Sequence, residues 1–263
     1  MVNESQGAAA QAFGVVRFRG AEVRKFLQGQ LSNDMALVGA AHLTLAGYHN
    51  PQGRVLALLR LAAPEPEQVI ALLPAELAEA TMTALRRFVL RAKVTITLES
   101  SAEAIAALAQ QLPTVASLLT QAAHGRDIAA GMPQVYGATS GMFVAQMLNL
   151  DCVDAISFTK GCYTGQEIIA RAHYRGRIKR RMQRFLTEHA TALAPGQGVT
   201  LSDGRAAQIV DAVQRADGRS EFLAVAPLLV HATAAATAAS GAPESANGPL
   251  ACSLLPLPYA LPE

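Results

Sequence analysis

Two apolar stretches, 42–48 and 54–62, are separated by a segment that contains Asn50-Pro51-Gln52-Gly53. Proline presets φ and glycine tolerates positive φ, so this set makes a turn and commits its flanks to a β-hairpin. Other elements gather around it. Residues 13–19 (FGVVRFR) read as a strand, and Gly20 opens a short helix whose Val23, Phe26 and Leu27 recur at i, i+3 and i+4 before Gly29 stops it. A third strand is expected at 68–73, then a helix from about Pro74 to Phe88 with Leu77, Met82 and Leu85 on one side. Residues 93–98 (KVTITL) alternate as a half-buried strand. The order β-α-β-β-β-α-β describes an α+β layer of strands covered by helices.

Residues 101–123 are rich in Ala and Leu and read as helical until Pro113 interrupts them, and Gly125 to Pro133 marks a new segment. After Arg184 short strands follow at 185–188, 198–201, 206–213 and 221–226, a pattern that suggests a small all-β C-terminal domain. Residues 232–248 are low in complexity and read as a surface loop. With 51% hydrophobic and 16% charged residues among 263, disorder is excluded. No run of eighteen apolar residues occurs and the N-terminus has no secretory pattern, so the expectation is a cytoplasmic protein without a membrane segment. Three cysteines without CxxC or Cys/His spacing give neither a disulfide framework nor a zinc site, and no metal ligands are assigned. The motifs of serine hydrolases and P-loop proteins are absent, as is HExxH; His173 reads as a surface residue.

Positive charge is local. From Lys160 to Arg184 there are eight basic residues against one acid, Glu167, while the rest of the chain is net negative. Such a stretch is either a solvated face or a surface for an anionic partner. Within it, Lys160-Gly161-Cys162-Tyr163-Thr164-Gly165-Gln166-Glu167 contains a T-x-x-E capping box, which predicts a helix from Thr164 to a break at Gly176. Cys162 would then precede a helix N-terminus and lie two residues from Lys160, an arrangement that favours the thiolate. A nucleophile, metal ligand or sulfur carrier is one reading of Cys162, and a small buried hydrophobe is the other.

KGCYTGQEIIAR followed by HYRGRIKRR resembles the signature of the YgfZ family, which shares the fold superfamily of the glycine-cleavage T-protein and of folate-dependent demethylases. FLQGQLSND at 26–34, GYHNPQGRVLALLRL at 47–61, FVLRAKVTI at 88–96, GMP at 131–133, Gln146, Asn149 and PLPY at 256–259 extend the resemblance in family order. Longer members differ in having a longer stretch where this chain has 99–130, and in tryptophans beside the folate site, one place being taken here by Phe13 and another lying near Ala123.

The resemblance implies an α+β, T-protein-like multidomain fold: a ferredoxin-like body from 1–98 and a signature segment 131–182, a shortened central segment 99–130, and a β-barrel-like domain 183–263. It implies a folate-binding accessory factor that supports iron–sulfur cluster assembly or repair in client enzymes, including tRNA-modifying ones. The alternative is a tetrahydrofolate-dependent aminomethyl- or methyltransferase. Cys162 and Lys160 are the reactive pair it points to, and Phe13, Asp34, Tyr163, Gln166, Glu167, Arg171 and Arg175 the tetrahydrofolate contacts. Asp34, in the Asn33-Asp34 pair, also suits a turn. A folate polyglutamate tail or tRNA phosphates are the anionic partners implied for the basic segment.

Overall fold

The structure, a computed structural model, describes residues 13–99, 101–229 and 248–262. The expected hairpin is present as β2 (Thr44–His49) and β3 (Val55–Glu65). Its turn closes because the Asn50 side-chain oxygen accepts from the N–H groups of Gln52 and Arg54, at 3.0 and 2.9 Å, while Gly53 takes φ +71°. With β1 (Phe13–Arg19), β4 (Gln68–Pro74) and β5 (Thr95–Glu99) the hairpin forms a five-stranded antiparallel sheet of order β2-β3-β4-β1-β5.

Both faces of this sheet are covered, and strand parity decides which residue goes where. Val16 and Phe18 join a core with α1 (Val23–Gln28) and α2 (Ala75–Arg86), whereas Phe13 and Val15 point to a second core. That second core is capped by Leu108 of α3 (Ala102–Gln111) and by Val115 and Leu118 of α4 (Pro113–Leu118). Burying each such side chain contributes roughly 1.5–3 kcal/mol, which is enough to hold two short helices on the sheet. Pro113 does interrupt the expected 101–123 helix, as the first residue of α4, where its missing N–H costs nothing. Gly125 does not open a new segment. It lies inside α5 (Gln121–Ala129), a helix held by the Arg60–Asp127 ion pair at 2.7 Å and by His124 against Asp211 at 2.8 Å.

The second sheet is also antiparallel, with order β10-β6-β9-β8-β7, built from β6 (Arg180–Ala190), β7 (Gly198–Thr200), β8 (Ala206–Gln214), β9 (Arg219–Pro227) and β10 (Cys252–Leu255). β6 starts at Arg180, ahead of both the expected strand at 185 and the expected boundary at 183. β10 has no counterpart in the sequence reading, since four residues are too short for alternation to register. Leu201 and Leu250 form an isolated parallel bridge beside the sheet's two outer strands. Beyond β10 the chain returns to the body: the Tyr259 hydroxyl donates to the Gly131 carbonyl at 2.7 Å and accepts from Asn149 Nδ2 at 3.3 Å. Apart from Gly248, the expected loop at 232–248 lies outside the described residues. Among the described residues no helix is long and apolar enough to cross a membrane.

Candidate functional site

The signature helix α6 is Gln166–Arg175, so the capping box is corrected: neither Thr164 nor Glu167 caps it. Its N-cap is Gly165 in the left-handed region at φ +83°, with no side-chain cap bond. The reason is tertiary. A Cβ on Gly165 would stand 2.5 Å from the Asn50 carbonyl oxygen and 3.1 Å from Gly53 Cα, so the signature loop is seated backbone against backbone on the hairpin turn. Gln166 supplies the local bond instead, its Oε1 accepting from the Tyr163 N–H at 3.3 Å. Cys162 thus stands outside the first helical turn, where the helix dipole has faded. It is exposed, whereas Cys152 is half-buried and Cys252 buried. Burial and the neighbouring Asp151 also push the Cys152 thiol up to about 11.

Lys160 does not flank Cys162 as a charge partner. Its ammonium turns inward, 8% exposed, and donates to the carbonyls of Gln28 at 2.6 Å, Leu31 at 2.5 Å and Asn33 at 3.1 Å. Three N–H donors meet three acceptors, while Nζ also lies 4.9 Å from the centre of the Tyr163 ring. Burial pulls Lys160 down to about 8, with the Asp34 carboxylate opposing it. The role this geometry supports is a clamp that ties the signature loop to residues 28–33.

The predicted folate contacts are not gathered into one place. Phe13 is 5% exposed in the core under α3 and α4, on the sheet face opposite the core that contains Tyr163. Parity of β1 makes this unavoidable. Asp34 caps the short 3-10 turn Met35–Leu37 by accepting from Ala36 N–H at 3.0 Å, and also accepts from Gln28 Nε2 at 3.2 Å. Tyr163 is buried, which pushes its hydroxyl up to about 12. Glu167, Arg171 and Arg175 are exposed on α6. Asp34, Lys160, Tyr163 and Gln166 therefore share one neighbourhood, the α6 charges face outward beside it, and Phe13 belongs to neither. As a set these residues do not fit a single folate cavity.

Two histidines carry features that sequence gave no reason to select. His49 is 1% exposed, its ring centre is 6.2 Å from that of Tyr163, and neither ring nitrogen has a hydrogen-bond partner among the described residues. Burial drags it down to about 4, with a weaker opposing contact from the Gly47 backbone. His124 donates from Nε2 to Asp211, whose same oxygen accepts from the Tyr136 hydroxyl at 2.9 Å and the Ala212 N–H at 2.9 Å. Burial lowers His124, but the Asp211 bond and charge outweigh it and hold the imidazole above its ordinary value. A cavity of about 390 Å³ opens there between Glu76, Tyr136 and Pro195. Partners so far apart in the chain leave no motif.

Two antiparallel sheets, with α3 to α6 and the signature loop lying between them in the chain, make a mixed fold of the T-protein kind. The structure resembles the crystal structure of the glycine cleavage system aminomethyltransferase T from Bartonella henselae with a TM-score of 0.61 and 12% identity, over 83% of this chain and 77% of that one. No protein-family model matches the chain. It is 30% identical over 202 residues to an uncharacterised protein of Haemophilus influenzae, covering 68% of this chain and 72% of that protein. To the tRNA-modifying protein YgfZ of an Enterobacter species it is 27% identical over an alignment of 301 positions, gaps included, that covers 93% of this chain and 90% of that protein. The chain belongs to the YgfZ-type family.

Proposed function

We propose that this protein is a cytoplasmic, folate-binding accessory factor that supports assembly or repair of iron–sulfur clusters in selected enzymes, tRNA-modifying ones among them. The observation that carries it is Cys162: an exposed thiol on a loop seated on the hairpin turn at Gly165 and clamped by Lys160. A soft sulfur held at a fixed place on the surface suits iron–sulfur chemistry, where a carboxylate oxygen does not. The name of the Enterobacter relative supports the connection to tRNA modification. Folate binding rests on fold and family likeness, and the exposed Arg171 and Arg175 are the residues it offers to an anionic tail. The finer fold reading, with limits at 98, 130 and 182, takes the first sheet as ferredoxin-like through its order β3-β4-β1-β5, and the second as a barrel closed near the Leu201–Leu250 bridge.

The test is complementation of cells lacking the protein, read as activity of a radical, cluster-dependent tRNA-modifying enzyme. Wild type restores it, and Cys162→Ser does not while still binding tetrahydrofolate in equilibrium dialysis. The purified protein releases no ammonia from an aminomethyl lipoyl carrier. Robust folate-dependent turnover there, indifferent to Cys162→Ser, would establish the transferase instead.

A further inference from the structure

Helix α6 buries one residue, Ile169, and leaves the rest of its surface open or only partly covered. That open surface has a definite chemistry. Arg171, Tyr174 and Arg175 recur at i, i+3 and i+4 and share a face, and Arg177 and Lys179 continue the positive run past the helix end. All five are exposed, and the side chains of the four cations make no ion pair or hydrogen bond among the described residues. Glu167 is the single acid between Lys160 and Arg184.

Beside the charges lies a small stack of rings. Phe158 lies on one face of His173 with centres 3.8 Å apart and planes 17° apart, and Tyr174 meets His173 edge-on at 4.8 Å and 79°. Phe158 is anchored against the main core, so the stack has a rigid base. Tyr174 is 67% exposed. An aromatic ring left open at that level, braced on a fixed neighbour and flanked by planar guanidinium groups, has two uses for the same partner: ring faces for bases and cations for phosphates.

We propose that the outward face of α6 binds an unpaired strand of RNA, with Tyr174 stacking on a base and Arg171, Arg175, Arg177 and Lys179 neutralising phosphates. The choice of RNA rests on the reading of the protein as a servant of tRNA-modifying enzymes. An unpaired strand is required because a base inside a duplex is already stacked on its neighbours and has no face for Tyr174. An acidic protein would use the cations but not the open ring, and a membrane surface would need more apolar residues than Ile168 and Tyr174 provide.

Fluorescence anisotropy with a labelled single-stranded RNA dodecamer tests this, using an abasic strand, the matching duplex, a DNA strand and polyglutamate as competitors. The expected result is salt-dependent binding with a log–log slope of roughly −2 to −3, since each neutralised phosphate of a single strand contributes about −0.7. Tyr174→Ala weakens the intact strand about tenfold and leaves the abasic strand unchanged, in line with roughly 1–3 kcal/mol for a stacked base. Arg177→Gln reduces the slope by about 0.7 for both strands. Equal binding of intact and abasic strands, indifference to Tyr174→Ala, or equally tight competition by the duplex, by DNA or by polyglutamate would overturn the proposal. The assay needs neither folate nor cluster, and Cys162→Ser binds RNA like wild type, so this proposal and the accessory-factor reading fail separately.

Discussion

Eight cations crowd the chain between Lys160 and Arg184, and the fold sends them in two directions. Lys160 and Arg181 are buried, Lys160 against three carbonyls and Arg181 in a two-pronged pair with Asp151 at 2.9 Å on each side. Arg180 and Arg184 are half-buried, Arg184 bonded to Glu221 at 2.6 Å and Arg180 to carbonyls of β8 and β9. Arg171, Arg175, Arg177 and Lys179 are exposed and unpaired among the described residues. The linear run of charge is therefore not one basic patch. Half of it joins loops and sheets, and only the other half meets whatever binds from outside.

The largest expected effect strikes the inward half. Arg181→Met leaves the Asp151 carboxylate, 6% exposed, without its cation, and is expected to cost about 3–5 kcal/mol in urea unfolding. Arg177→Gln in the outward half should stay within about 0.5 kcal/mol of wild type. An equal cost for the two would erase the distinction.

Lys160→Met comes next, at about 3 kcal/mol, because it strips the donor from three carbonyls at once. Its signature is local: amide exchange should accelerate over 28–34 and around Cys162. Faster exchange without loss of Cys162-dependent complementation would separate the clamp from the activity.

The smallest effect concerns His49, a cation that the same neighbourhood refuses to form. Its folded value of about 4 lies below the ordinary 6.5, so the unfolded chain takes up the proton first. The resulting stability is fully present above pH 6.5 and is lost as pH falls toward 4. His49→Leu removes this dependence as well as two unpartnered ring nitrogens, and should be the more stable protein at pH 5 by about 2 kcal/mol, with a smaller difference at pH 8. Parallel stability–pH curves for the two proteins would refute it.

The hairpin was legible because its turn chemistry is local to Asn50 and Gly53, and the strands of the first sheet because their alternation is short-range. The start of α6 is not legible in the sequence for the opposite reason: what sets it is the approach of Gly165 to Asn50 and Gly53, which no window around residue 165 contains. Phe13 could be placed on a strand but not on a face with a known cover, since α3 and α4 pack there by tertiary contact. Lys160 read as a neighbour of Cys162, and its acceptors at 28, 31 and 33 were invisible until the chain folded back on itself. The resemblance singles out the loop at 160–165. It did not find which way the side chains turn.

The contact at Gly165 ties the inheritance of two distant stretches together. With Asn50 oxygen and Gly53 Cα pressed where a Cβ would be, neither the turn nor the loop can lengthen or gain a side chain there on its own. Across related sequences, an insertion or a bulkier residue at one stretch should appear only with a matching change at the other. The pair drifts as one unit, although more than a hundred residues separate its halves.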